Sequence, residues 1–108
     1  MLMTTQDNFN DFAVTETLGM VRGNTIRARH IGKDIMASLR TIVGGEIPEY
    51  TKMMAESREQ ALDRMMSEAK QVGADGIVAV RFTTAPVMQG AAELLVYGTA
   101  VRLQKKSG

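Results

Sequence analysis

The spacing of apolar residues changes period along the chain, and each change predicts an element. Residues 12–22, FAVTETLGMVR, alternate as a strand does, with Phe12, Val14, Leu18 and Met20 on one face. Glu16 interrupts that face, which predicts an edge position or a paired charge. Gly23-Asn24 is a turn signal, and residues 25–29 alternate again, so a hairpin of strand, turn and short strand is expected. From Ile31 the period becomes helical, through Ile35, Leu39 and Ile42/Val43, until Gly44-Gly45 ends it.

Pro48 suits the first turn of a second helix. Tyr50, Met54, Ala61, Met65, Ala69 and Val72 form its apolar stripe, widened by Met53, Leu62 and Met66. The opposite side is charged, from Lys52 and Glu56 to Glu68 and Lys70. At QVGADGIVAV, residues 71–80, the pattern switches abruptly. Gly73 is placed to cap the helix, Ala74-Asp75-Gly76 to turn, and residues 77–84 to return as a strand. The run Ile77-Val78-Ala79-Val80 has no polar side, which predicts a strand covered on both faces. A loop is expected over 86–92 and a last strand over 93–103, in which Gly98 predicts a bulge or a close backbone approach. The order β-β-α-α-β-β predicts an α+β fold, a mostly antiparallel sheet with two helices on one face. A single domain over residues 1–108 follows, with an ordered core at about 12–103 and polar termini.

Composition narrows the chemistry. Hydrophobic residues make up 44% and charged residues 23%, a balance that supports a packed core. The net charge of +1 creates no strong field toward nucleic acid or anionic lipid. No apolar run approaches the roughly 20 residues of a membrane span, and the polar start MLMTTQDNFND lacks a basic leader, so a cytoplasmic protein is expected. The chain has no cysteine, which removes disulfides, thiolate catalysis and cysteine-based metal centres. It has one histidine, His30, and no tryptophan.

The segments RTIVGGEIPEY (40–50), QVGADGIVAVRFTT (71–84) and ELLVYGTAVRL (93–103), with the charged helix between them, resemble the YbjQ-like family of uncharacterised bacterial proteins. The resemblance runs from about Thr15 to Leu103. It implies a dodecin-like α+β fold, assembly into a homopentameric ring and a family label of heavy-metal binding.

Candidate ligands follow from residue type. His30 with Asp34, and Glu46 with Glu49, could hold a divalent metal, and such oxygen-rich donors suit Mg, Ca or Mn better than a soft metal. The simpler use of the same residues is helix capping and solvated charge. Of the nine methionines, Met53, Met54, Met65 and Met66 fall on or beside the apolar stripe, where packing rather than copper binding is expected. Arg22, Arg27, Arg29, His30, Lys33 and Arg40 form a basic stretch opposed only by Asp34, with Arg27 and Arg29 the anion candidates. Asp75 reads as a turn-setting residue, and Glu93 and Tyr97 belong to no recognisable catalytic group. The function expected is therefore non-enzymatic: a homo-oligomer that binds a metal or small ligand between subunits. An enzyme with a composite intersubunit site, or a phosphate or nucleic-acid binder using residues 22–40, is the alternative. Of these, nucleic acid is disfavoured because no aromatics interleave the basic residues.

Overall fold

A computed structural model describes residues 1–28, 48–88 and 91–107. Strands β1 (Leu2–Met3) and β2 (Phe12–Ala28) precede helix α1 (Pro48–Gln71), and β3 (Gly76–Met88) and β4 (Ala91–Lys105) follow it. Among the described residues the sheet runs β1-β3-β4-β2. β4 pairs antiparallel with both β2 and β3, and β1 lies parallel to the start of β3. The α+β class and the mostly antiparallel sheet are as expected. The helix predicted over 31–43, with its Gly44-Gly45 cap, falls outside the described residues.

The expected hairpin at Gly23-Asn24 does not form. β2 continues through both residues, with Gly23 opposite Val96 and Asn24 opposite Leu95. Gly23 is needed for packing instead. A Cβ there would lie 2.1 Å from the Ala61 carbonyl oxygen and 2.5 Å from the Met65 backbone nitrogen, so the backbones of α1 and β2 are nearly in contact. The helix permits this because its inward stripe is small: Ser57, Ala61, Met65 and Ala69 recur at every fourth position and are buried. Thr25 is buried on the same side and donates from Oγ1 to the Ser57 carbonyl at 3.4 Å. Val21, Val96, Ala100, Ile77 and Val80 complete this core, with Leu18, Leu62 and Met66 at its margin. Val72, expected on the stripe, is 47% exposed because the helix has already ended.

Gly73 ends it as predicted. Its φ of 80° is accompanied by bonds from the Ala74 amide to the Ala69 carbonyl and from the Gly73 amide to the Lys70 carbonyl. These two bonds are the signature of a Schellman cap. The apolar run that follows is explained by a bulge. Ala79, at φ 54°, is an extra residue between the pairs Val78–Thr99 and Arg81–Tyr97. It resets the alternation, so Ile77 and Val80 both face α1, while Val78 and Arg81 face the other side. At Gly98, opposite the bulge, an added Cβ would lie 2.6 Å from the Ile77 side chain. The close approach allowed for at this glycine is present.

The termini are tied into the sheet rather than loose. The Thr4 amide donates to the Ile77 carbonyl, and the bulge amides of Ala79 and Val80 donate to the carbonyls of Gln6 and Thr4. Phe9 then reaches Gly76 beside Leu103 and stacks edge-on with Phe12 at 6.4 Å, on the sheet face away from α1. Val101 and Val78 are buried on that face. Gln104 and Lys105 pair with Ala13 and Phe12. The loop expected over 86–92 is shorter, since Pro86 and Met88 pair with Ala92 and Ala91. Proline is tolerated there because β3 is an edge strand beyond the bulge, with no described strand on its other side.

Gly23→Ala is expected to destabilise the protein by about 2–3 kcal/mol or more, the overpacking cost of a methyl forced against helix backbone. A lowered midpoint of urea unfolding checks it.

Candidate functional site

β4 alternates between a buried side, with Leu94, Val96, Gly98 and Ala100, and a half-exposed side, with Glu93, Leu95, Tyr97 and Thr99. The second set faces away from α1. Register adds its neighbours from both flanking strands. Tyr97 stands between Arg22 of β2 and Arg81 of β3, Leu95 between Asn24 and Thr83, and Thr99 between Met20 and Val78. Directly opposed residues on one sheet face lie about 4.5–5.5 Å apart at Cβ, so each row is a set of contacting neighbours. Phe9 and its cluster cover only the end of this face nearest Gly76. The rows of Tyr97 and Leu95 remain accessible.

The charges there are unequal. Arg22 is exposed and makes no hydrogen bond or ion pair to another described residue. Arg81 donates from Nη1 to the carbonyls of Thr5, at 2.7 Å, and Val80, at 2.9 Å, which fixes its orientation without neutralising it. Glu93 accepts from Asn24 Nδ2 at 3.0 Å. On the other side of the sheet Arg64 donates to the Asn24 carbonyl, so this residue joins helix, strand and outer face.

Most of the residues singled out from sequence fall outside the described ones. Arg29, His30, Asp34 and Glu46 lie outside the described residues. Arg27 lies in β2 opposite Ala92, and Glu49 is in the first turn of α1. Among the described residues no group of three or more His, Cys, Asp or Glu could hold a metal ion. With no cysteine in the chain and one histidine, the described donor set does not fit a heavy-metal centre. Asp75 does more than set its own turn: its Oδ2 accepts from the Leu103 amide at 2.9 Å, and its amide donates to the Val101 carbonyl. The turn after α1 is thereby fastened to β4. A shallow groove on α1, lined by Asp63, Arg64, Ser67, Glu68 and Gln71, mixes charges of both signs and converges on no point. The Arg22–Tyr97–Arg81 row was not legible in advance, because it depends on pairing between residues far apart in sequence.

Among the described residues, fold and site together define a small α+β protein with one sheet face largely without described cover and no recognisable catalytic group. No described helix is long and apolar enough to cross a membrane. A family model described as "Putative heavy-metal-binding" matches residues 1–104. A UPF0145 protein of Methanococcus vannielii is 64% identical over 105 residues, covering 97% of this chain and 100% of the relative. UPF0145 proteins of Archaeoglobus fulgidus and Thermus thermophilus are 58% and 54% identical, each over 96% of this chain and over 96% and 91% of their own lengths. The chain belongs to this YbjQ-like, UPF0145 family, which extends to archaea and is thus wider than the bacterial group its sequence resembles. The crystal structure of a protein of unknown function, of the DUF74 family from Pediococcus pentosaceus, matches with a TM-score of 0.63 at 16% identity. That match covers 96% of this chain and 98% of the other, a likeness of fold alone.

Asp75→Ala is expected to lower stability by about 1–2 kcal/mol, the worth of a hydrogen bond to a charged acceptor at a partly exposed site. Asp75→Asn, which keeps an acceptor, is expected to retain most of it. Thermal unfolding of the two variants side by side checks the difference.

Proposed function

We propose that the protein is a non-enzymatic, self-assembling one that closes into a ring of identical copies and holds its ligand between subunits. The observation that carries this reading is where the exposed large apolar side chains fall. Val14, Met20 and Ile26 lie on β2, Phe82 on β3 and Leu2 on β1, while central β4 carries none of them. Both outer strands of the described sheet are therefore sticky, and they differ from each other. Two unlike surfaces on opposite sides of a molecule favour head-to-tail contact, which closes into a ring when the rotation allows.

The shape supports the same reading. The radius of gyration is 17.6 Å, with extents of 58 × 26 × 16 Å. A compact chain of this length has a radius near about 13 Å. The accessible surface is 7479 Å², against roughly 5,900 Å² for a compact monomer of this mass. Family resemblance makes five the expected number of copies and dodecin-like the expected type. In this reading the ring works in the cytoplasm, where a cysteine-free chain needs no oxidising environment.

Native mass spectrometry of protein purified without chelator or affinity metal is expected to give a closed multiple of the 11.8 kDa chain. A monomer at micromolar concentration would contradict the proposal. Repeating the measurement after EDTA tests a resident metal: a stoichiometric mass that EDTA strips assigns one to the assembly, and an unchanged mass assigns the ligand site to something other than a labile metal.

A further inference from the structure

We propose that the sheet face opposite α1 binds a small phosphate-bearing molecule with an aromatic body, gripped by Arg22 and Arg81 across Tyr97. The inference goes beyond assembly and needs only one chain. Its basis is the row that β-pairing builds: a guanidinium on each side of a tyrosine, on the same accessible face. The arginines stand two strand spacings apart, about 9–10 Å. The Arg22 side chain is long enough to lean over the tyrosine, while the Arg81 guanidinium is held through Nη1 at the Thr5 and Val80 carbonyls and keeps Nε and Nη2 to donate. A phosphate group offers three acceptor oxygens and can take bonds from two guanidinium forks at once.

Neither arginine is bonded to a described carboxylate. Arg22 has no described partner, and Arg81 is held by two neutral carbonyls rather than by a carboxylate. Those carbonyls belong to the N-terminal arm and to the bulge, so the arm that clamps the bulge also presents Arg81. The acid that β4 places on this face is Glu93, four residues from Tyr97 along the strand. Its backbone is about 13 Å of strand from Tyr97, though its carboxylate reaches toward β2 at Asn24, two residues from Arg22. Asn24 engages that carboxylate at Oε2.

The aromatic body follows from what surrounds the arginines. The Tyr97 ring supplies a π-face, and Met20 on one flanking row is 66% exposed with no described cover. Leu95 is half-buried on the other flanking row. A flat ring can stack here while the phosphate meets the two arginines. Thr83 and Thr99 place hydroxyls on the same face for the polar edge of such a ligand.

The test is calorimetric titration at low salt with adenosine monophosphate and, separately, inorganic phosphate, against wild type and Arg22→Ala. Arg22 is exposed and has no described partner, so the variant is expected to fold. Adenosine monophosphate should bind saturably, more tightly than phosphate alone, and less tightly as salt rises. Arg22→Ala should weaken it at least about tenfold, the scale of one lost charge-assisted hydrogen bond. No saturable binding by about 10 mM ligand, or equal binding by the variant, overturns the site. Equal affinity for phosphate and the nucleotide overturns the aromatic part of the assignment. Particle mass is read on the same samples, so failure of binding and failure of assembly are told apart.

Discussion

The contact between the backbone of α1 and that of β2 at Gly23 decides how the molecule is arranged. With no side chain at Gly23 and only small or slender ones at Ser57, Ala61, Met65 and Ala69, the helix settles directly on the strand. Its packing is with β2 and β4. The far half of β3 lies outside its reach, which is why Phe82 shares a face with fully buried Val96 yet stays 45% exposed. A wider helix stripe would stand farther off the sheet and leave Val21, Val96 and Ala100 without close neighbours.

The other organising feature is the bulge at Ala79. It turns a run of apolar residues into two inward-facing and one outward-facing position, and so feeds both sides of the sheet. The N-terminal arm satisfies the bulge's freed amides and lays Phe9 over the outward side. Asp75 fastens the turn before it to β4. One end of the outer face is thereby closed by the chain itself, and the other end, with Arg22, Tyr97 and Arg81, has no cover among the described residues. The same reset of alternation that buries Val80 turns Arg81 outward into register with Tyr97.

Much of this was readable in advance where the signal is local. The helix from Pro48, its cap at Gly73 and the strands on either side of the 86–92 region follow from period and capping chemistry. Gly23 was misread because glycine marks a turn and a close backbone approach with the same letter, and the neighbouring Asn24 strengthened the wrong choice. Only the position of helix residues Ala61 and Met65, more than thirty residues away in sequence, distinguishes the two. The N-terminal arm was missed because backbone bonds hold much of it, and side-chain periodicity does not register those. Arg22 was grouped by sequence proximity with Arg27 and Arg29, whereas the neighbours that pairing gives it are Tyr97 and, beyond it, Arg81. Cross-strand pairing over such separations leaves no mark in composition or spacing.

What remains unfinished in the single chain is its sheet margins. Among the described residues, β2 is bonded along one edge only, and β3 is open beyond the bulge. Residue-resolved amide hydrogen exchange across β2 tests this most directly. If other copies complete the margins, the β2 amides that do not bond to β4 will be protected nearly as well as those that do. Alternating protection along β2, with the outward amides exchanging as freely as solvent-exposed ones, would mean the edge stays open and would contradict the account.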